Sequence, residues 1–91
     1  MNTKRWTVVF RALANPNRLK MIEMLSQGEQ MNVGQIAGHL KISLKATSNH
    51  LAIFRNLGVL NAQGRSGRVF YSLSPQLPKD FYKIIGYILK S

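Results

Sequence analysis

The chain has 91 residues, is 45% hydrophobic and 18% charged, and contains no cysteine. Disulfides, thiolate metal centres and thiol redox switches are therefore excluded, and no apolar run approaches the roughly 20 residues that span a bilayer. Thirteen Lys and Arg against three acids give a formal net charge of +10, so a polyanionic partner is the first expectation.

A chain of this length buries roughly 60–65% of its unfolded surface, enough for one core, and a single domain over residues 1–91 is expected. The opening MNTKRWTVVFRALANP lacks the apolar stretch and cleavage site of a signal peptide, so the expected location is the cytoplasm. Trp6, Val9, Phe10 and Leu13 follow the spacing of one helix face. Asn15 then caps a second helix with Pro16 in its first position. That helix is expected to turn Leu19, Ile22 and Leu25 inward, with Met21 and Met24 as filler, and to end at Gly28. In NVGQIAGHL, Asn32 and Gln35 form a capping box before Val33, Ile36, Ala37 and Leu40. Gly34 and Gly38 each weaken this third helix by about 1 kcal/mol relative to Ala. Ser43 caps a fourth helix whose inward stripe is Thr47, Leu51, Phe54 and Leu57, and Gly58 terminates it.

After Gly58 the period changes to two. Val59 to Gln63 and Arg68 to Leu73 predict two strands joined by GRSG, with Val69, Tyr71 and Leu73 on one face. SPQLP breaks the second strand, and Phe81, Ile84, Ile85 and Ile88 predict a fifth helix. The expected fold is mainly α with a small β-hairpin, five helices in the order ααααββα. Two helices with a tight turn, followed by a basic hairpin, make a winged helix-turn-helix.

The fourth helix opens with SLKATSNHL, a poor choice for helix stability, because Ser, Thr and Asn compete with the backbone for hydrogen bonds. Short donors and acceptors are what a DNA major groove requires. Leu44, Lys45, Ser48 and Asn49 fall on the face away from Thr47, Leu51 and Phe54, and are the expected base readers. Leu44 has two open readings, contact with a thymine methyl or packing onto the third helix. His50 is read as a packed, hydrogen-bonded histidine that steadies the helix. The plain alternative for Ser48 and Asn49 is a solvated face without a role. Against it stands the charge distribution: residues 30 to 79 contain no acid but carry Lys41, Lys45, Arg55, Arg65, Arg68 and Lys79. Lys41, Arg55, Arg65 and Arg68 are therefore assigned to DNA phosphates or the minor groove.

LANPNRLKMIEML, NVGQIAGHLKISLKATSNHLAIFRNLGVL and GRVFYSL together resemble the ArsR/SmtB family of repressors over roughly residues 6 to 74. The resemblance implies a homodimer built from the first and last helices, which binds a near-palindromic double-stranded operator. Trp6, Val9, Phe10, Phe81, Ile84, Ile85 and Ile88 would supply the interface; the same residues could equally be intramolecular core. The chain departs from the family's metal-sensing pattern, since His39 and His50 are its only histidines and neither lies in the last helix. No metal, cofactor or membrane partner is expected. The competing reading is a winged-helix module that binds structured RNA or a protein. An enzyme is not expected, because neither histidine has an acid or nucleophile beside it and no phosphate-cradling glycine loop occurs.

Overall fold

Three of the five helices begin at an asparagine. In the computed structural model, which describes all 91 residues, Asn2 Oδ1 accepts from the Arg5 N–H at 3.0 Å and starts α1 (Thr3–Leu13). Asn15 Oδ1 accepts from the N–H groups of Asn17 and Arg18 and starts α2 (Pro16–Leu25). Asn32 and Gln35 exchange hydrogen bonds of 2.9 Å at the head of α3 (Val33–Leu40), the capping box expected there. Ser43 Oγ accepts from Ala46 N–H to start α4 (Leu44–Asn56), and α5 (Lys79–Leu89) follows Pro78.

Packing against the core decides which face of α2 turns inward. Met21, Ile22 and Leu25 are buried, in the register that also contains Arg18. Leu19 is rotated about 100° from Arg18 and is 41% exposed. The expected inward Leu19 is thus corrected in favour of Met21, which is core and not filler.

The sheet is antiparallel, in the order β1-β3-β2. Strands β2 (Leu60–Arg65) and β3 (Arg68–Leu73) form the hairpin, and β1 (Met31–Asn32) adds a third strand against Tyr71 and Phe70. Two residues are too few to show a period of two, so β1 is not legible in the sequence. The hairpin is tighter than a GRSG loop: Gly64 and Arg65 pair within the ladder, and only Ser66 and Gly67 turn. Both have positive φ, 52° and 77°, as a two-residue turn that matches strand twist requires.

Fourteen buried residues from all five helices and the sheet form one core. Val9, Phe81 and Ile85 belong to it at 0%, 0% and 3% exposure. These three expected interface residues are therefore a correction, because their surface is already spent joining α1 and α5 to the rest of the chain. Trp6 and Ile84 pack on the core edge, Ile88 is half-buried, and Phe10 is 54% exposed.

A polar staple reinforces the same pair of helices. Arg5 Nε and Nη2 donate to Asp80 Oδ2 and Oδ1 at 2.7 and 3.1 Å. The Arg5 hydrogen bonds, helped by the Phe81 N–H, hold the Asp80 carboxyl below the usual aspartate range. The guanidinium is 35% exposed, so solvent limits the pair to about 1 kcal/mol. A double-mutant cycle with Arg5→Gln and Asp80→Asn is expected to return that coupling at pH 7. Because the folded-state value is depressed, the coupling is complete above about pH 5 and fades as pH falls through about 4 and below. Denaturant titrations at pH 7 and pH 3 check both ends.

Candidate nucleic-acid interface

The turn that presents α4 is three residues long. Lys41 closes α3 in the left-handed conformation, φ 57° and ψ 44°, and the Ile42 N–H donates to the Ala37 carbonyl at 3.2 Å. A left-handed lysine costs on the order of 1 kcal/mol that a glycine would not. The turn leaves the Lys41 side chain exposed beside the start of α4.

Within α4, Thr47, Leu51 and Phe54 are buried, and the Thr47 hydroxyl donates to the Ser43 carbonyl at 2.8 Å. A threonine in the core stripe is thereby satisfied within its own helix. Lys45, Asn49, Ala52 and Asn56, spaced i, i+4, i+7 and i+11, are all exposed on the opposite side. Ala52 and Asn56 were not among the sequence-derived candidates, although the spacing that selects Lys45 and Asn49 reaches them. Leu44 is 59% exposed, so the fold covers less than half of it.

Ser48 borders this face on the side of the hairpin. It lines a cleft of about 400 Å³ with Asn32, Val33, Arg68, Val69 and Tyr71. Helix α4 and the hairpin are therefore two walls of one surface. Arg55 is exposed, one helical turn beyond Leu51.

At the hairpin tip, Arg65 and Arg68 stand directly opposite each other across the ladder. Like charges in that position destabilise a hairpin by about 0.2–1 kcal/mol. Arg65 is held with its guanidinium carbon 4.5 Å from the centroid of the Phe70 ring. The only ion pair in the molecule is Arg5–Asp80, on α1 and α5. No carboxylate thus neutralises Lys41, Lys45, Arg55, Arg65 or Arg68, and the surface carries uncompensated positive charge along its length.

His50 turns away from this face. Its Nδ1 lies 3.1 Å from Arg18 Nη1, as the sequence reading of a packed, hydrogen-bonded histidine anticipates. Burial first, and the Arg18 charge second, push its pKa below the ordinary histidine value. Arg18 itself was missed; the available signal was a cation standing in the apolar register of α2. No three His, Asp or Glu side chains converge in the chain, and no helix is long and apolar enough to cross a membrane.

The model of the bacterial regulatory protein arsR family matches residues 15–62, from the cap of α2 into the first hairpin strand. The chain is 37% identical over 84 residues to the transcriptional activator HlyU of Vibrio cholerae, covering 92% of this chain and 77% of that one. It is 33% identical over 72 residues to the transcriptional repressor SdpR of Bacillus subtilis, with 79% of each covered. Among solved structures, HlyU from Vibrio cholerae superposes with a TM-score of 0.80 at 29% identity, over 99% of this chain and 96% of that one. The homodimeric winged helix-turn-helix DNA-binding domain of Mb0332 from Mycobacterium bovis shares the fold, with a TM-score of 0.76 at 24% identity over 93% and 75%. Fold, exposed basic helix and sequence matches converge: the chain belongs to the arsR family of bacterial regulatory proteins and is a winged helix-turn-helix, DNA-binding transcriptional regulator.

Proposed function

We propose that this single-domain protein acts as a homodimer that binds an inverted-repeat operator in double-stranded DNA and represses transcription from it. The observation that carries the reading is the acid-free surface on which α4 and the hairpin stand as two walls. Helix α4 enters the major groove. Lys45 and Asn49 read base edges at the centre of its outward face, with Leu44 and Ser48 at the rim and the Ala52 methyl beside them. Lys41, Arg55, Arg65 and Arg68 hold phosphates, the last two at the minor-groove side. Supporting the dimer, α1 keeps a tilted Trp6–Phe10 pair, 5.7 Å between ring centroids, along a shallow hollow of about 390 Å³. Phe10, Trp6, Ile84 and Ile88 retain surface for a second copy, and Tyr82 and Tyr87 on α5 are both at least 70% exposed. SdpR, a repressor by name, supports the direction of control. With no cysteine in the chain, that control does not run through a thiolate. The site of action is the cytoplasm, where bacterial DNA lies.

Selection from a randomised duplex pool tests the proposal. Enriched sites are expected to carry inverted half-sites about 34 Å apart, one helical turn. Enrichment of no duplex, with equal binding to an RNA hairpin, would remove the DNA-reading role. Within a selected site, Asn49→Ala is expected to relax preference at one base position by about 1–3 kcal/mol. Lys41→Ala is expected to weaken all sequences alike and to flatten the logarithmic salt slope by about one. Filter binding or fluorescence anisotropy at several salt concentrations separates the two effects.

A further inference from the structure

Arg18 sits where local rules would not put it. It is the third residue of α2, where the helix dipole disfavours a cation, and it shares the inward face of Met21, Ile22 and Leu25. Three contacts account for it. Nε donates to the Ala12 carbonyl at 2.6 Å and Nη2 to the Arg11 carbonyl at 3.2 Å, both in the last turn of α1. Nη1 meets His50 Nδ1 at 3.1 Å. A guanidinium only donates, so Nδ1 accepts and the neutral imidazole carries its proton on Nε2. One planar group therefore ties the end of α1 to α4, at the residue next to Asn49.

We propose that Arg18 and His50 form a positioning pair: they set the roll of α4 against the end of α1, and operator selectivity requires His50 to accept from Arg18. The inference rests on α4 being the base-reading helix. Paired hydrogen bonds to a base edge tolerate only small displacements, whereas phosphate contacts by long Lys and Arg side chains follow the backbone and carry no sequence information. A small roll of α4 thus erodes discrimination before it erodes general affinity. Since α1 is also proposed to meet the second subunit, the pair links the dimer helix to the reading helix through a single side chain.

The acceptor role makes the pair sensitive to acid. Protonation converts Nδ1 into a donor facing a guanidinium. Arg18 on α2 is the one charged group whose field shifts His50, and no carboxylate opposes it. With its pKa depressed in the folded chain, His50 is still neutral at the ordinary histidine value of about 6.5, and the contact is lost only as pH falls through the lower folded value.

The test uses the full chain with two probes: the inverted-repeat duplex it selects from a random pool, and a scrambled duplex of equal length. The ratio of the two affinities cancels charge effects common to both. For the unaltered protein this ratio is expected to fall at least about fivefold as pH is lowered from about 7.5 until the His50 imidazole protonates, a point its NMR titration marks. His50→Asn places Oδ1 near the position of Nδ1 without titrating, and should hold the ratio flat across that range. His50→Leu and Arg18→Lys should lower the ratio about tenfold at every pH while scrambled-duplex binding persists. A ratio that stays unchanged through the His50 titration in the unaltered protein, or a His50→Leu ratio equal to it, overturns the positioning role. If Arg18→Lys loses its cooperative melt, the comparison of His50→Asn with His50→Leu still decides. Absence of any selected duplex would instead defeat the reading of α4, and the pair with it.

Discussion

Phe54→Ala is expected to lower the unfolding free energy by about 3–5 kcal/mol, the range for emptying an aromatic core position. Phe54 has no exposed surface and belongs to the one core that all five helices share. Its carbonyl also accepts from the Val59 N–H at 2.9 Å, where the chain leaves α4 for the hairpin. Small domains hold only about 5–15 kcal/mol in total, so this single truncation consumes much of the margin and lowers the urea midpoint steeply. Asn49→Ala, on the opposite side of the same helix, is expected to stay within about 0.5 kcal/mol of the parent. Equal denaturation curves for Phe54→Ala and the parent would mean that α4 is not anchored through this residue. The contrast between the two variants separates folding from reading on one helix.

The second large effect is expected at the hairpin tip. Replacing both Arg65 and Arg68 by Ala removes two phosphate partners, which lowers the logarithmic salt slope by about two and the affinity roughly 50-fold at 0.1 M salt. Stability is expected to respond in the opposite sense for Arg68→Ala alone. That change relieves a like-charge pair across the ladder, worth about 0.2–1 kcal/mol, and leaves the Arg65–Phe70 stack in place. A variant that melts slightly later yet binds DNA less tightly identifies the arginines as kept for a partner. Unchanged affinity of the double variant for every duplex would remove the hairpin from the interface. Melting curves and anisotropy titrations on the same samples read both quantities.

The features visible in the sequence were those with short-range physical causes. Asn15, Asn32 and Ser43 announce helix starts because capping is decided within three residues, and all three caps are present. The stripe of Thr47, Leu51 and Phe54 follows from the helical period alone. What stayed hidden depends on neighbours distant in the chain. Leu19 and Met21 are both apolar, and only the packing of α2 decides which is buried. Val9, Phe81 and Ile85 were open to two readings because a large apolar side chain looks the same whether its own chain or another covers it. Strand β1 exists only through its pairing with Tyr71 and Phe70. The Arg18–His50 contact joins residues 32 positions apart. The resemblance to repressors, carried by motifs from α2 to the hairpin, correctly anticipated the family and the winged helix.

The stretch from residue 30 to residue 79, with its cations and no acid, has a consequence for control inside a cell. A chain so charged spends little time free in solution, because the chromosome as a whole competes for it as a reservoir of weak sites. Occupancy of the proposed operator would then follow from how molecules partition between that site and the reservoir. Shifts in ionic conditions move both sides together and largely cancel. On that proposal, the gene under control would respond chiefly to what alters base discrimination, or to how many copies of the regulator are made.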